Sequence, residues 1–152
     1  MRSILFASAI VLAGLQAQAK ATEALILSEG KIFLPVKGSP ATAGYGTFTN
    51  NSDKEIKLSV NKAEPFKAVE AHQTLEKDGK MAMEKVDTWT VPAKGTLELK
   101  AGGNHIMLFD PKREVKLDET IKVRFKQDGK DKEFAFKVVP RVDSSSEHHH
   151  HH

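Results

Sequence analysis

Apolar and polar residues alternate along much of this chain with a period of two. Ile56, Leu58 and Val60 alternate with Lys57 and Ser59, the pattern of a strand with one face buried. Asn50-Asn51-Ser52-Asp53 precedes it as a turn. Residues 67–75 read as extended, with Val69, Ala71, Gln73 and Leu75 on one side and Ala68, Glu70, His72 and Thr74 on the other. Lys77-Asp78-Gly79-Lys80 is a hairpin turn, because Asp-Gly tolerates positive φ, and Met81 and Met83 begin the returning strand. Leu97 and Leu99 follow a turn at Pro92–Gly95, and residues 105–109 extend from a turn at Ala101–Asn104. The clearest hairpin is the last. Ile121, Val123 and Phe125 lead through Asp128-Gly129 to Phe134, Phe136 and Val138. No window carries a helical stripe. About eight short strands with turn signals every 8–12 residues or so predict an all-β sandwich or barrel, and the length permits a Greek key.

The ends of the chain read differently. Arg2, the apolar run Leu5–Leu15 and Ala17-Gln18-Ala19 form a leader with a small-x-small cleavage site. The run is too short for an ordinary membrane helix, so residues 1–19 are expected to be a cleaved signal peptide and the protein exported, periplasmic in a Gram-negative source, without stable membrane insertion. Residues 143–152 end in His148–His152, a metal-binding expression tail that says nothing of biology. Residues 20–142 make one domain of ordinary size. They are mildly basic and carry no dense basic patch, so nucleic acid is not implied.

The 152 residues include no cysteine. Disulfides, thiolate nucleophiles, Cys-zinc sites, iron–sulfur clusters and blue-copper electron-transfer sites are excluded together, as is a lipidated-cysteine anchor after Ala19. Gly-x-Ser-x-Gly and His-Glu-x-x-His are absent. Asp128–Asp131 is too short for a calcium loop, and the pairs Glu76/Asp78 and Asp118/Glu119 read as turn surface rather than a glycosidase dyad. Trp89 and Tyr45 read as core or turn packing. No enzyme is expected.

What remains is a cluster. Between leader and tail the chain has two histidines, His72 and His105, and three methionines, Met81, Met83 and Met107. His105 and Met107 share a strand face, as do Met81 and Met83, and His72 faces the methionines across the Asp78-Gly79 turn. Thioether and imidazole together favour Cu(I) over zinc, calcium or magnesium. The bland alternative is that each Met packs in the core, that His72 is a polar surface residue and that His105 bonds a turn.

The spacing is also that of a known family. Met83 follows His72 by eleven positions, His105 follows Met83 by twenty-two, and His105-Ile106-Met107 completes a His-x-Met. Together with Glu70-Ala71-His72, Asp78–Met83, Val91–Gly95 and Gly102–Leu108, this resembles the PCuAC periplasmic copper chaperones across most of residues 24–139. The resemblance implies a cupredoxin-like Greek-key β-barrel or sandwich holding one Cu(I) on His72, Met83, His105 and Met107 at one end of the barrel, with Met81 nearby. It implies delivery to the copper-centre subunit of cytochrome c oxidase or to a Sco-like thiol protein. Separately, the absence of a long exposed apolar strand makes a monomer the simpler expectation. The His/Met-rich C-terminal extension of many members is not matched. A copper buffer with no dedicated acceptor would share the ligands, and a metal-free exported β-sandwich binding module would need none of them.

Overall fold

The computed structural model describes residues 23–141. The leader and its cleavage site, and the tail from 143, lie outside the described residues. The fold is all-β, with ten strands: β1 (Leu25–Phe33), β2 (Ala41–Asn50), β3 (Ile56–Ala63), β4 (Phe66–Lys77), β5 (Lys80–Val86), β6 (Trp89–Val91), β7 (Thr96–Leu99), β8 (Asn104–Pro111), β9 (Thr120–Gln127) and β10 (Lys130–Val139). Among the described residues no helix is long and apolar enough to cross a membrane.

Three strands escape the alternation rule. In β2 the inward positions are Thr42, Gly44, Gly46, Phe48 and Asn50, mostly small or polar, so burial leaves no hydrophobic signature. The β1–β2 register shifts between Ser28 and Lys31, which breaks the period of two in β1. β6 spans three residues.

The strands hydrogen-bond in the order β5-β4-β8-β7-β2-β1-β10-β9-β3-β6, with β8 also paired to β2. β1 runs parallel to β10 and β7 parallel to β8, while the other pairs are antiparallel. Hydrogen bonds do not close this sheet: β5 and β6 are its two edges. The sheet wraps one apolar core instead. Phe48, Phe125 and Phe134 meet edge to face there, with ring centroids 5.0–5.7 Å apart, and Ile32, Leu58, Ile106, Leu108, Val123 and Phe136 are fully buried around them. Trp89 is buried in the same cluster, as expected.

Two local features set the site's surroundings. Asp78 and Gly79 both have positive φ, 52° and 73°, and Lys77 pairs Lys80 across them, a two-residue hairpin of the primed type. It fixes the register of β5 on β4. At Gly44 a Cβ would stand 2.6 Å from Cγ1 of Ile106, so glycine lets β2 seat Ile106, the residue between His105 and Met107.

Asn50 is the buried polar knot of the fold. Its Nδ2 donates to the carbonyls of Lys54, Val91 and Pro92 at 2.7–3.2 Å, and its Oδ1 accepts from the Ser52 amide and hydroxyl. This ties β2 to β6 and to the turn between β2 and β3. Asn50→Ala strands several of these groups and should cost about 2–3 kcal/mol, read as a fall in the urea midpoint with an unchanged denaturant slope.

Candidate metal centre

The pairing of β4 with β8 puts His72 directly opposite His105 and Glu70 opposite Met107. Residues directly opposite have Cβ atoms about 5 Å apart and share a face. β5 continues the array on the other side of β4, with Thr74 opposite Met83 and Glu76 opposite Met81. β2 contributes Ala43 opposite Met107. His72, His105, Met107, Met83 and Met81 therefore all project from one face. It is the outward face, since Ala71, Ile106 and Leu108 between them fill the core. These residues border the Ala101–Asn104 turn and lie across four strands.

The imidazoles are held by different atoms. Nδ1 of His105 donates to the Gly103 carbonyl at 3.0 Å. A carbonyl only accepts, so Nδ1 carries the hydrogen and Nε2 is left as a lone pair. Nε2 of His72 donates to the Glu70 carboxylate at 2.9 Å, which leaves Nδ1 as the lone pair. That atom is buried and has no hydrogen-bond partner. A buried unsatisfied acceptor costs about 1–3 kcal/mol and calls for a reason. The rings lie 5.8 Å apart between centroids, flanked by Phe109, 6.4 Å from His72, and Tyr45, 6.4 Å from His105. His105 is buried and the His72 side chain is 16% exposed.

Glu70 anchors this arrangement. One oxygen takes the His72 hydrogen and the other takes Lys85 Nζ at 2.9 Å. The His72 hydrogen bond first, and Lys85 second, hold its carboxyl below the usual carboxylate range. The carboxylate–histidine pair is the outer-shell device that orients a metal-ligating imidazole. Glu70 was legible: it sits two residues before His72, hence on the same strand face.

The methionines are not core. Met81 is 64% and Met83 62% exposed, which overturns packing as the reason for either. Met107 is half-buried. Met83, His105 and Met107 line one cleft of about 260 Å³ together with Thr74, Tyr45 and Arg141. Met83 is the diagonal neighbour of His72 across the β4–β5 ladder, whereas Met81 stands one pair further out. It lines an adjoining cleft of about 360 Å³ with Met83, Thr74 and Gly102. Among the described residues no three His, Asp or Glu side chains converge as a metal cluster. Tyr45, expected as core or turn packing, lines the cleft instead, and Arg141 joins it there, because the placement of both depends on long-range pairing.

The LpqE-like family model, named for a lipoprotein, matches residues 13–138. The chain belongs to the LpqE-like family. A solved structure of the Cu(I) form of DR1885 from Deinococcus radiodurans is 30% identical, with a TM-score of 0.65 over 84% of this chain and 85% of that one. The apo PCuAC domain of PmoF1 has a TM-score of 0.65 at 19% identity, covering 78% of this chain and 96% of that domain. The copper-bound PCuAC domain of PmoF2 has a TM-score of 0.64 at 15% identity, covering 80% and 97%. At these identities the two domains speak to the fold, which is the cupredoxin-like one expected. Among curated relatives, the uncharacterized protein RP573 of Rickettsia prowazekii (strain Madrid E) is 29% identical over 85 residues, 55% of this chain and 47% of that protein. The chain spans about half the length of the curated relatives it matches.

The two histidines should show opposite neutral tautomers, Nε2–H for His72 and Nδ1–H for His105. Long-range ¹H–¹⁵N spectra of the metal-free chain at mildly alkaline pH check this, and Glu70→Ala should release the first and leave the second.

Proposed function

We propose that this LpqE-like protein is an exported Cu(I) chaperone. It takes one Cu(I) on Nδ1 of His72, Nε2 of His105 and the thioethers of Met83 and Met107. It passes the ion to a copper-dependent partner in the periplasm, either the copper-centre subunit of cytochrome c oxidase or a Sco-like thiol protein. The observation that carries this reading is the buried, partnerless Nδ1 of His72 beside a second imidazole whose lone pair is also free. The donor chemistry supplies the choice of metal. Two imidazoles and two thioethers are neutral and soft, which suits Cu(I) and offers little to hard cations. The Cu(I) form of a 30% identical relative supports the same choice.

The arrangement suits carriage. Thioethers need no deprotonation and, unlike free thiols, form no disulfides in an oxidising compartment. Exposed Met83 lies on the edge strand β5, so one side of the site can reach a partner. His72 and His105 are set by the β4–β8 ladder and by Glu70 and Gly103, so the site is preorganised without metal. Transfer proceeds by ligand exchange, each protein–copper bond breaking as a partner–copper bond forms, with copper remaining Cu(I).

Competition against a chromophoric Cu(I) chelator without oxygen tests this on the chain lacking His148–His152. One tight equivalent is expected. It should weaken at His72→Ala, Met83→Ala, His105→Ala and Met107→Ala, with each variant shown to be folded. Glu70→Ala, which removes only the outer support, should lose about tenfold or more. Binding unchanged in all four ligand variants would refute the proposal and leave an exported β-domain.

A further inference from the structure

The cleft that holds His105 and Met107 also holds a cation. Arg141 lines it beside Tyr45 and Met83, just beyond the end of β10. Its guanidinium sits over the Phe33 ring, with Cζ 5.9 Å from the centroid. Phe33 meets Tyr45 edge to face at 5.4 Å, and Tyr45 meets His105 at 6.4 Å. Aromatic faces support a guanidinium while leaving its N–H groups available.

Its neighbours are different. Lys85 is paired with Glu70, Lys77 with Glu84 and Lys100 with Glu98, while Lys31 and Lys80, which are in no ion pair among the described residues, do not line this cleft. Glu29 and Glu98 lie in the groove on the other side of Tyr45, with Lys31 and Lys100 among them. No ion pair among the described residues engages Arg141.

We propose that Arg141 is the docking residue for the anionic sulfur of the copper acceptor, a cysteine thiolate that enters the cleft beside the bound ion. This rests on the Cu(I) reading above. The four ligands are uncharged, so the loaded site keeps the full positive charge of Cu(I), and Arg141 adds a second positive charge on the same cleft. A thiolate answers both. It is soft enough for Cu(I), and a nearby arginine favours the thiolate over the thiol. In the exchange a Cu–S(thiolate) bond forms as a Cu–N or Cu–S(thioether) bond to this protein breaks. The thiol proton leaves to solvent, and no electron changes hands.

The test compares Cu(I)-loaded wild type, Arg141→Gln and Arg141→Lys, all lacking His148–His152, in anaerobic stopped flow. One probe is an end-capped peptide with a Cys-Ala-Ala-Cys core. The other is neocuproine, an uncharged Cu(I) chelator. At low salt Arg141→Gln should slow transfer to the peptide about fivefold or more, and Arg141→Lys should keep most of the wild-type rate. The difference should shrink at high salt, and the neocuproine rate should be the same in all three. Equal peptide rates overturn the proposal, as does equal slowing with neocuproine or an Arg141→Lys rate as low as that of Arg141→Gln. A wild type that fails to take up Cu(I) is seen at the loading step and overturns the chaperone reading itself.

Discussion

The register of β4 against β8 is the constraint on which the site depends. His72 faces His105 and Glu70 faces Met107 only because Ala71 pairs with Ile106 and Val69 with Leu108. Ala71, Ile106 and Leu108 are buried. A slip of one residue would turn the apolar set out to solvent and the imidazoles into the core. Core packing thus holds the outer face in place, and Gly44 contributes by making room for Ile106. The tight Asp78-Gly79 hairpin then carries the same register to β5 and Met83.

Much of this was legible beforehand. The alternating strands β3, β9 and β10, the hairpin turns and the shared parity of His105 with Met107 follow from a period of two. The parts that were not legible have physical reasons. β2 buries glycine, threonine and asparagine rather than large apolar groups, so its inward face left no mark. Asn50 is buried because it ties together three segments distant in sequence. Periodicity shows which residues share a face of one strand. It does not show which strands are neighbours, so the His72–His105 pairing, the outward placement of the site and the approach of Arg141 were beyond it. Family spacing brought the four residues together as a set, but the atoms that face one another come from the fold.

The chemistry divides between two shells. Glu70 and the Gly103 carbonyl each take one imidazole hydrogen, so the two rings keep different nitrogens as lone pairs. The methionines form the outer boundary, and their exposure on an edge strand distinguishes them from ordinary core residues. A neutral, soft and partly open donor set fits an ion that must be held and then released, and the unbalanced guanidinium on the same cleft would bias release toward an anionic receiver.

X-ray absorption at the copper edge of the chain loaded with one Cu(I), without His148–His152, bears most directly on the His/Met site. The account predicts a monovalent copper with both nitrogen and sulfur neighbours, and reduced sulfur scattering in each of Met83→Ala and Met107→Ala. A copper with only nitrogen or oxygen neighbours, or sulfur scattering unaltered by both substitutions, would contradict it.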